Sequence, residues 1–156
     1  MTIGTGDLIA KFGTQDQLDD TSTSAVADGA KSVAADISSW TNDDDAPFIA
    51  CVLKTDSSQT TPGAVGKTVS LFARLLNIQS TNDQPEPDAS FDGQYIGTFI
   101  LDNASGTQYV PLAGGVGTLN PQYSSQVYDF YLLNELGVSL AAGWALYGTP
   151  IAFGPA

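Results

Sequence analysis

Glycine and proline, 16 and 8 of 156 residues, break this chain too often for helices. No long stretch repeats apolar residues at i, i+3, i+4 and i+7 between proper caps. What survives between the breaks is a series of short β-branched and aromatic runs with period two, the pattern of an all-β sandwich or barrel. Residues 7–12 read as a first strand with Leu8, Ala10 and Phe12 on one face. Residues 13–31, rich in Thr, Ser and Asp, read as a loop or arm, and residues 31–37 as a second strand. After the turn at 42–47, Phe48–Lys54 alternates cleanly, and residues 67–78 form the strongest strand. Residues 80–93 are a long acidic loop. Residues 94–101 and 107–112 read as a hairpin about the turn at 102–106, and residues 126–134 as an aromatic strand. Residues 143–153 close the sheet. Eight or nine strands result, enough for a jelly-roll-like β-sandwich.

The runs at 67–78 and 126–134 are apolar on both faces. One face fills the core. The other needs cover, either from the long loops or from another chain. The expected organisation is an N-terminal arm with the first strands over 1–38 and the sandwich over 39–156. With few large apolar groups, residues 13–31 are expected to be mobile when free and ordered on a partner, and deletion of residues 1–30 is expected to leave the sandwich folded while weakening binding to that partner.

Composition removes much chemistry. The chain has no His and one Cys, Cys51. Ser-His-Asp and Cys-His pairs are excluded, as are His-containing and all-Cys zinc sites and an internal disulfide. A net charge of -12 opposes nucleic acid and anionic membrane surfaces as partners. No basic and apolar leader opens the sequence, and no apolar run reaches the roughly 18 residues of a membrane helix. Synthesis in a reducing cytosol is expected.

The remaining acids are the residues that could serve as ligands or as catalysts. Asp43, Asp44 and Asp45 lack the EF-hand spacing and read as a solvated turn. Asp83, Glu86, Asp88 and Asp92 lie on a loop stiffened by Pro85 and Pro87, and read as an exposed contact segment, not a metal site. A glycosidase needs two carboxylates across a groove. Only Asp129, between Tyr128 and Phe130, has apolar neighbours, and its place in the alternation reads as an outward face. Trp40 and Trp144 read as packing residues in preference to a sugar-stacking platform. Gly114-Gly115-Val116-Gly117 lacks the Lys and helix of a phosphate loop. Cys51 reads as a small buried hydrophobe. No cofactor, metal or catalytic residue is expected.

Three segments carry a resemblance: Ser39-Trp40-Thr41-Asn42-Asp43-Asp44-Asp45-Ala46-Pro47-Phe48, Pro85-Glu86-Pro87-Asp88-Ala89-Ser90-Phe91 running into Gln94-Tyr95-Ile96-Gly97-Thr98-Phe99, and Ala142-Gly143-Trp144-Ala145-Leu146. Together they resemble small virion proteins of tailed bacteriophages, of the head decoration or cement type. The resemblance implies a structural protein made in the host cytoplasm that binds the outside of an assembled capsid. Its partners are then the major capsid protein lattice and further copies of itself, with a trimer about local threefold positions as one arrangement. Asp83, Glu86, Asp88 and Asp92 are the candidate capsid contacts, meeting basic groups of the lattice. A tail or fibre-associated structural protein and a carbohydrate-binding sandwich module are the alternatives.

Overall fold

Period-two alternation becomes strands in the computed structural model, which describes residues 8–64, 67–76, 83–87 and 92–155. In chain order these are β1 (Leu8–Phe12), β2 (Asp16–Gln17), β3 (Trp40–Asn42), β4 (Phe48–Lys54), β5 (Thr68–Leu76), β6 (Gln94–Ile100), β7 (Tyr109–Pro111), β8 (Gly117–Thr118), β9 (Gln126–Glu135) and β10 (Ala145–Pro155). One sheet runs β1-β10-β4-β7, with β2 beside β10 and β8 beside β4. The other runs β3-β9-β5-β6.

The pairing is nested and antiparallel. β1 pairs with β10, β3 with β9, β4 with β7, and β5 with β6 as the innermost hairpin. Folding this long hairpin over on itself sets β10 beside β4 and β9 beside β5. That is the strand order of a jelly roll, so the chain is an all-β sandwich of two packed sheets. Between the sheets lie Ile49, Cys51 and Leu53 of β4, Leu146 of β10, Val69, Leu71 and Ala73 of β5, and Tyr128, Phe130 and Leu132 of β9. Each large apolar side chain buried this way contributes about 1.5–3 kcal/mol. Trp40 and Trp144 belong to this core, as the sequence suggested. Burial pushes the Cys51 thiol up to about 12.

Three expectations are corrected. Residues 107–112 do not pair with 94–101 as a hairpin. β7 crosses to the other sheet and pairs with β4, leaving a single Phe99–Leu112 bridge to β6. The turn between them is a corner held by Gln108, whose side chain accepts from the Asp102 N–H and donates to the Asp102 and Ala104 carbonyls. Residues 31–37 are not a strand either. Lys31 makes one bridge to Leu133, and Ala34–Asp36 is a 3-10 turn. The Ser32 hydroxyl accepts the Leu132 N–H at 3.0 Å, so a side chain stands where the ladder would continue.

The third correction concerns residues 13–31, which are laid onto the sandwich, not projected from it. Leu18 and Val26 are buried in the core. The Leu18 N–H donates to the Leu146 carbonyl at 2.8 Å, and Val26 and Leu140 exchange two bonds at 2.9 Å. The polar residues that made this segment look like a free arm serve buried backbone instead. Thr23 Oγ1 donates to the Trp144 carbonyl, Trp144 Nε1 donates to the Ser24 carbonyl, and Asp36 accepts the Ser24 N–H. Gly148 makes room for this segment: a Cβ there would stand 2.6 Å from Leu18 Cδ1 and 2.8 Å from Ile49 Cδ1. A few well-placed contacts replace the broad apolar stripe that composition failed to supply.

Asp19 fixes the same segment, accepting the Leu146 N–H at 2.6 Å and the Gln17 amide at 3.1 Å. Burial outweighs these bonds and lifts its carboxyl above the ordinary 3.8. Below 3.8 both folded and unfolded chains hold the proton. As pH rises the unfolded chain releases it first, so the stability contributed by this group is lost between 3.8 and the raised folded value.

Leu18→Ala is expected to cost about 2–5 kcal/mol in denaturant unfolding. A chain lacking residues 1–30 is expected to lose its cooperative thermal transition, and a preserved transition would show that the segment is dispensable. Asp19→Asn keeps the acceptor for Leu146 and sheds the charge. It is expected to match or exceed the parent in stability at pH 7, whereas Asp19→Ala loses about 1–3 kcal/mol by orphaning a buried N–H.

Candidate interaction surface

On β1, β10 and β4, Ala10, Phe12, Phe48, Ala50, Ile151 and Phe153 share the outer face of the first sheet, and all are apolar. The register sets Phe12 opposite Ile151 and Ile151 opposite Phe48, and places Ala10 opposite Phe153. Phe48 and Phe153 meet edge to face at 5.7 Å. With Ala50, Gly115 and Val116 these residues line an apolar groove of about 320 Å³. Leu8 is 74% exposed, Phe12 68% and Phe153 56%. An open apolar surface of this kind on a sheet face marks a contact region in a soluble protein. On the inner side of β1, beyond the edge of the core, a second cleft of about 350 Å³ is lined by Lys11, Gly13, Asp44, Ala46, Pro150 and Ala152.

The described candidate contact acids, Asp83, Glu86 and Asp92, lie on the opposite side of the sandwich. Lys31 stands beside Leu133 at the edge of β9, and Asp92 precedes β6 beyond β5. Their ion pair therefore spans the outer face of the second sheet. Glu86 sits 3.8 Å from Arg74 Nη1, and Gln84 ties the same loop to β5 through its amide oxygen and backbone. Asp83 is exposed at the start of this segment. Asp88 lies outside the described residues. Glu86 and Asp92 thus already have cationic partners within the chain, although both remain more than half exposed.

Asp129 lies on the outward face of β9 that the alternation assigns to it, but it is buried there, only 6% exposed. Arg74, its cross-strand partner in the β5–β9 register, holds it through Nη2 at 2.8 Å and Nε at 3.0 Å, and the Ser39 hydroxyl donates at 2.7 Å. The two opposite charges satisfy each other under cover. Tyr131 lies beside them, its ring 5.8 Å from the Arg74 guanidinium carbon, and burial pushes its phenol up to about 12. A cross-strand Arg–Asp pair was the one available signal, and it becomes visible only once the register is known.

Asp43–Asp45 forms a turn braced by Asn42, whose amide bonds Ala46 in both directions at 2.9 Å. Asp45 takes a left-handed φ of 51° and accepts the Ser125 N–H at 2.8 Å and the Ser124 hydroxyl at 2.9 Å. No group of three or more potential metal ligands occurs among the described residues. Chemically, the molecule offers a broad apolar face on one sheet, acids on the other, and a buried ion pair that is structural.

Arg74→Met is expected to destabilise by about 3–5 kcal/mol because it leaves Asp129 charged and alone. The double variant Arg74→Met/Asp129→Leu is expected to recover most of that loss in urea unfolding. A double variant as weak as the single one would show that packing, not charge, is at stake.

No family model, curated protein or solved structure matches this chain.

Proposed function

We propose that this protein is a structural virion component, a decoration or cement protein that binds the outside of an assembled phage capsid and strengthens it across neighbouring subunits. The observation that carries this reading is the open apolar face of the first sheet. Jelly rolls serve as capsid and lectin domains, which fits the proposal without establishing it, because one fold hosts many functions. Phe12, Phe48, Val116 and Phe153 are the proposed contacts with the major capsid protein lattice. The acids of the second sheet then face solvent, where they steer approach and limit aggregation, a revision of their expected role as direct contacts. Many modest contacts, repeated over a lattice, combine through avidity. In this reading the protein is not an enzyme, needs no cofactor, and resides on the capsid surface as an oligomer.

Mass spectrometry of purified particles is expected to find the chain at near-stoichiometric copy number with the major capsid protein. Val116→Asp/Phe153→Asp should keep its melting temperature and bind heads at least tenfold more weakly, because a groove that releases water now receives charge. High salt should weaken attachment only in part. Presence in tails alone, or unaltered head binding by the double variant, would overturn the proposal.

A further inference from the structure

The edge of β1 carries a second consequence. The Gly13 N–H donates to the Pro150 carbonyl, and these residues face each other one step beyond the β1–β10 register. In an antiparallel ladder, hydrogen-bonded and non-bonded pairs alternate. Gly13, Lys11 and Ile9 therefore turn their backbone groups toward β10, while Leu8, Ala10 and Phe12 turn theirs outward, where no described residue meets them. Edge strands that are not meant to pair are usually kept short, covered, or guarded by proline and charge. Among the described residues the other sheet edges follow that rule. β7 is three residues long and contains Pro111, and β3 is also three residues long. β6 is covered by the Ala113 N–H on the Thr98 carbonyl and by the Gln94 amide on the Thr118 carbonyl. β1 has five residues and no proline, and its one charge, Lys11, sits where the backbone turns toward β10 and not on the outward-facing positions 8, 10 and 12.

We propose that β1 pairs with β1 of a second copy, antiparallel about a twofold axis at Ala10, joining two sandwiches into one continuous sheet. The strand meets its own requirements. With Ala10 facing Ala10, Leu8 faces Phe12 of the second copy and Ile9 faces Lys11. The outward backbone groups of residues 8, 10 and 12 then form about six hydrogen bonds, two for each facing pair. Leu8 and Phe12 of each copy come together on one face, so the two apolar grooves merge into a single band. Charge favours the same occupant at the same place. In a chain of net charge -12, residues 8–12 themselves carry only Lys11, and Asp44 lines the cleft beside it, so two acidic molecules meet here along a strip whose own charge is positive. Other exposed charges farther away than about 8 Å are largely screened at physiological salt. An isologous contact of this kind closes on itself. It uses the strand edge, engages Phe12 alone of the proposed capsid contacts, and leaves Phe48, Val116 and Phe153 free for the lattice.

The test uses the full chain in solution. Sedimentation across a wide concentration range is expected to show a monomer–dimer equilibrium. Ala10→Pro removes an N–H that points away from β10, a place where an edge strand tolerates proline. It should keep the melting transition and weaken dimerisation at least tenfold. Ala10→Cys gives an independent reading that needs no proline, because Cys51 is buried and the new thiol is the accessible one. Under mild oxidation by glutathione disulfide, Ala10→Cys should form covalent dimers at least tenfold faster than Ser105→Cys, which lies in an exposed turn on the far side of the sheet. A monomer at every concentration, a trimer mass, or equal cross-linking of the two cysteine variants would overturn the proposal. A parent chain that dimerises but does not bind heads would instead strike the decoration reading alone.

Discussion

The nine-pair ladder between β5 and β9 holds this molecule together. It joins residues 68–76 to residues 127–135, which are far apart in sequence, and it is covered on both faces. Neither strand could be left with one side in water, because Leu76 and Tyr131 on the outer face are as hidden as Leu71 and Phe130 on the inner. The Arg74–Asp129 pair sits within this ladder and resists register slips. A shift of one residue would turn each side chain to the other face and leave two opposite charges apart. With so much of the structure resting on distant pairings, folding is expected to be slow for a chain of this size.

Around that ladder the N-terminal segment acts as a lateral brace. It crosses from the open edge of β10 toward the edge of β9, bonding the 134–146 region as it goes. Its side chains are small and polar because they serve backbone groups that the strands leave over. Buried N–H and C=O groups need partners, and Thr23, Ser24, Ser32 and Asp36 supply or receive them. The brace thus depends on hydrogen-bond geometry more than on apolar area, except at Leu18 and Val26.

That distinction explains how much the sequence disclosed. β4, β5, β9 and β10 announce themselves through period-two alternation, and the sheets built from them follow. The brace does not, since Thr, Ser and Asp look alike in a solvated loop and in a buried network. β7 was legible as a strand but not as a partner of β4. Local pattern says which residues extend and says nothing of which sheet they join. For the interaction surface the signal was present but indirect. Of the double apolar faces that drew notice, at 67–78 and 126–134, the described residues are covered within the chain. The open one belongs to β1 and β10, where Leu8, Phe12 and Phe153 are spaced among Ala, Lys and Gly and make a weaker pattern. The acids at 83–92 read as unattached because Lys31 and Arg74 are distant from them in sequence.

The nested pairing also decides how this molecule bears a load. Leu8 and Pro155 face each other at the end of one ladder. Tension applied between those two positions parts the bonds one after another, as in a zip, and little force suffices. Load entering through the broad face at Phe48 and Phe153 meets β4 and β10 along their length. Their seven facing pairs then share it together, in shear. The sandwich is therefore strong across its sheets and weak between its terminal strands.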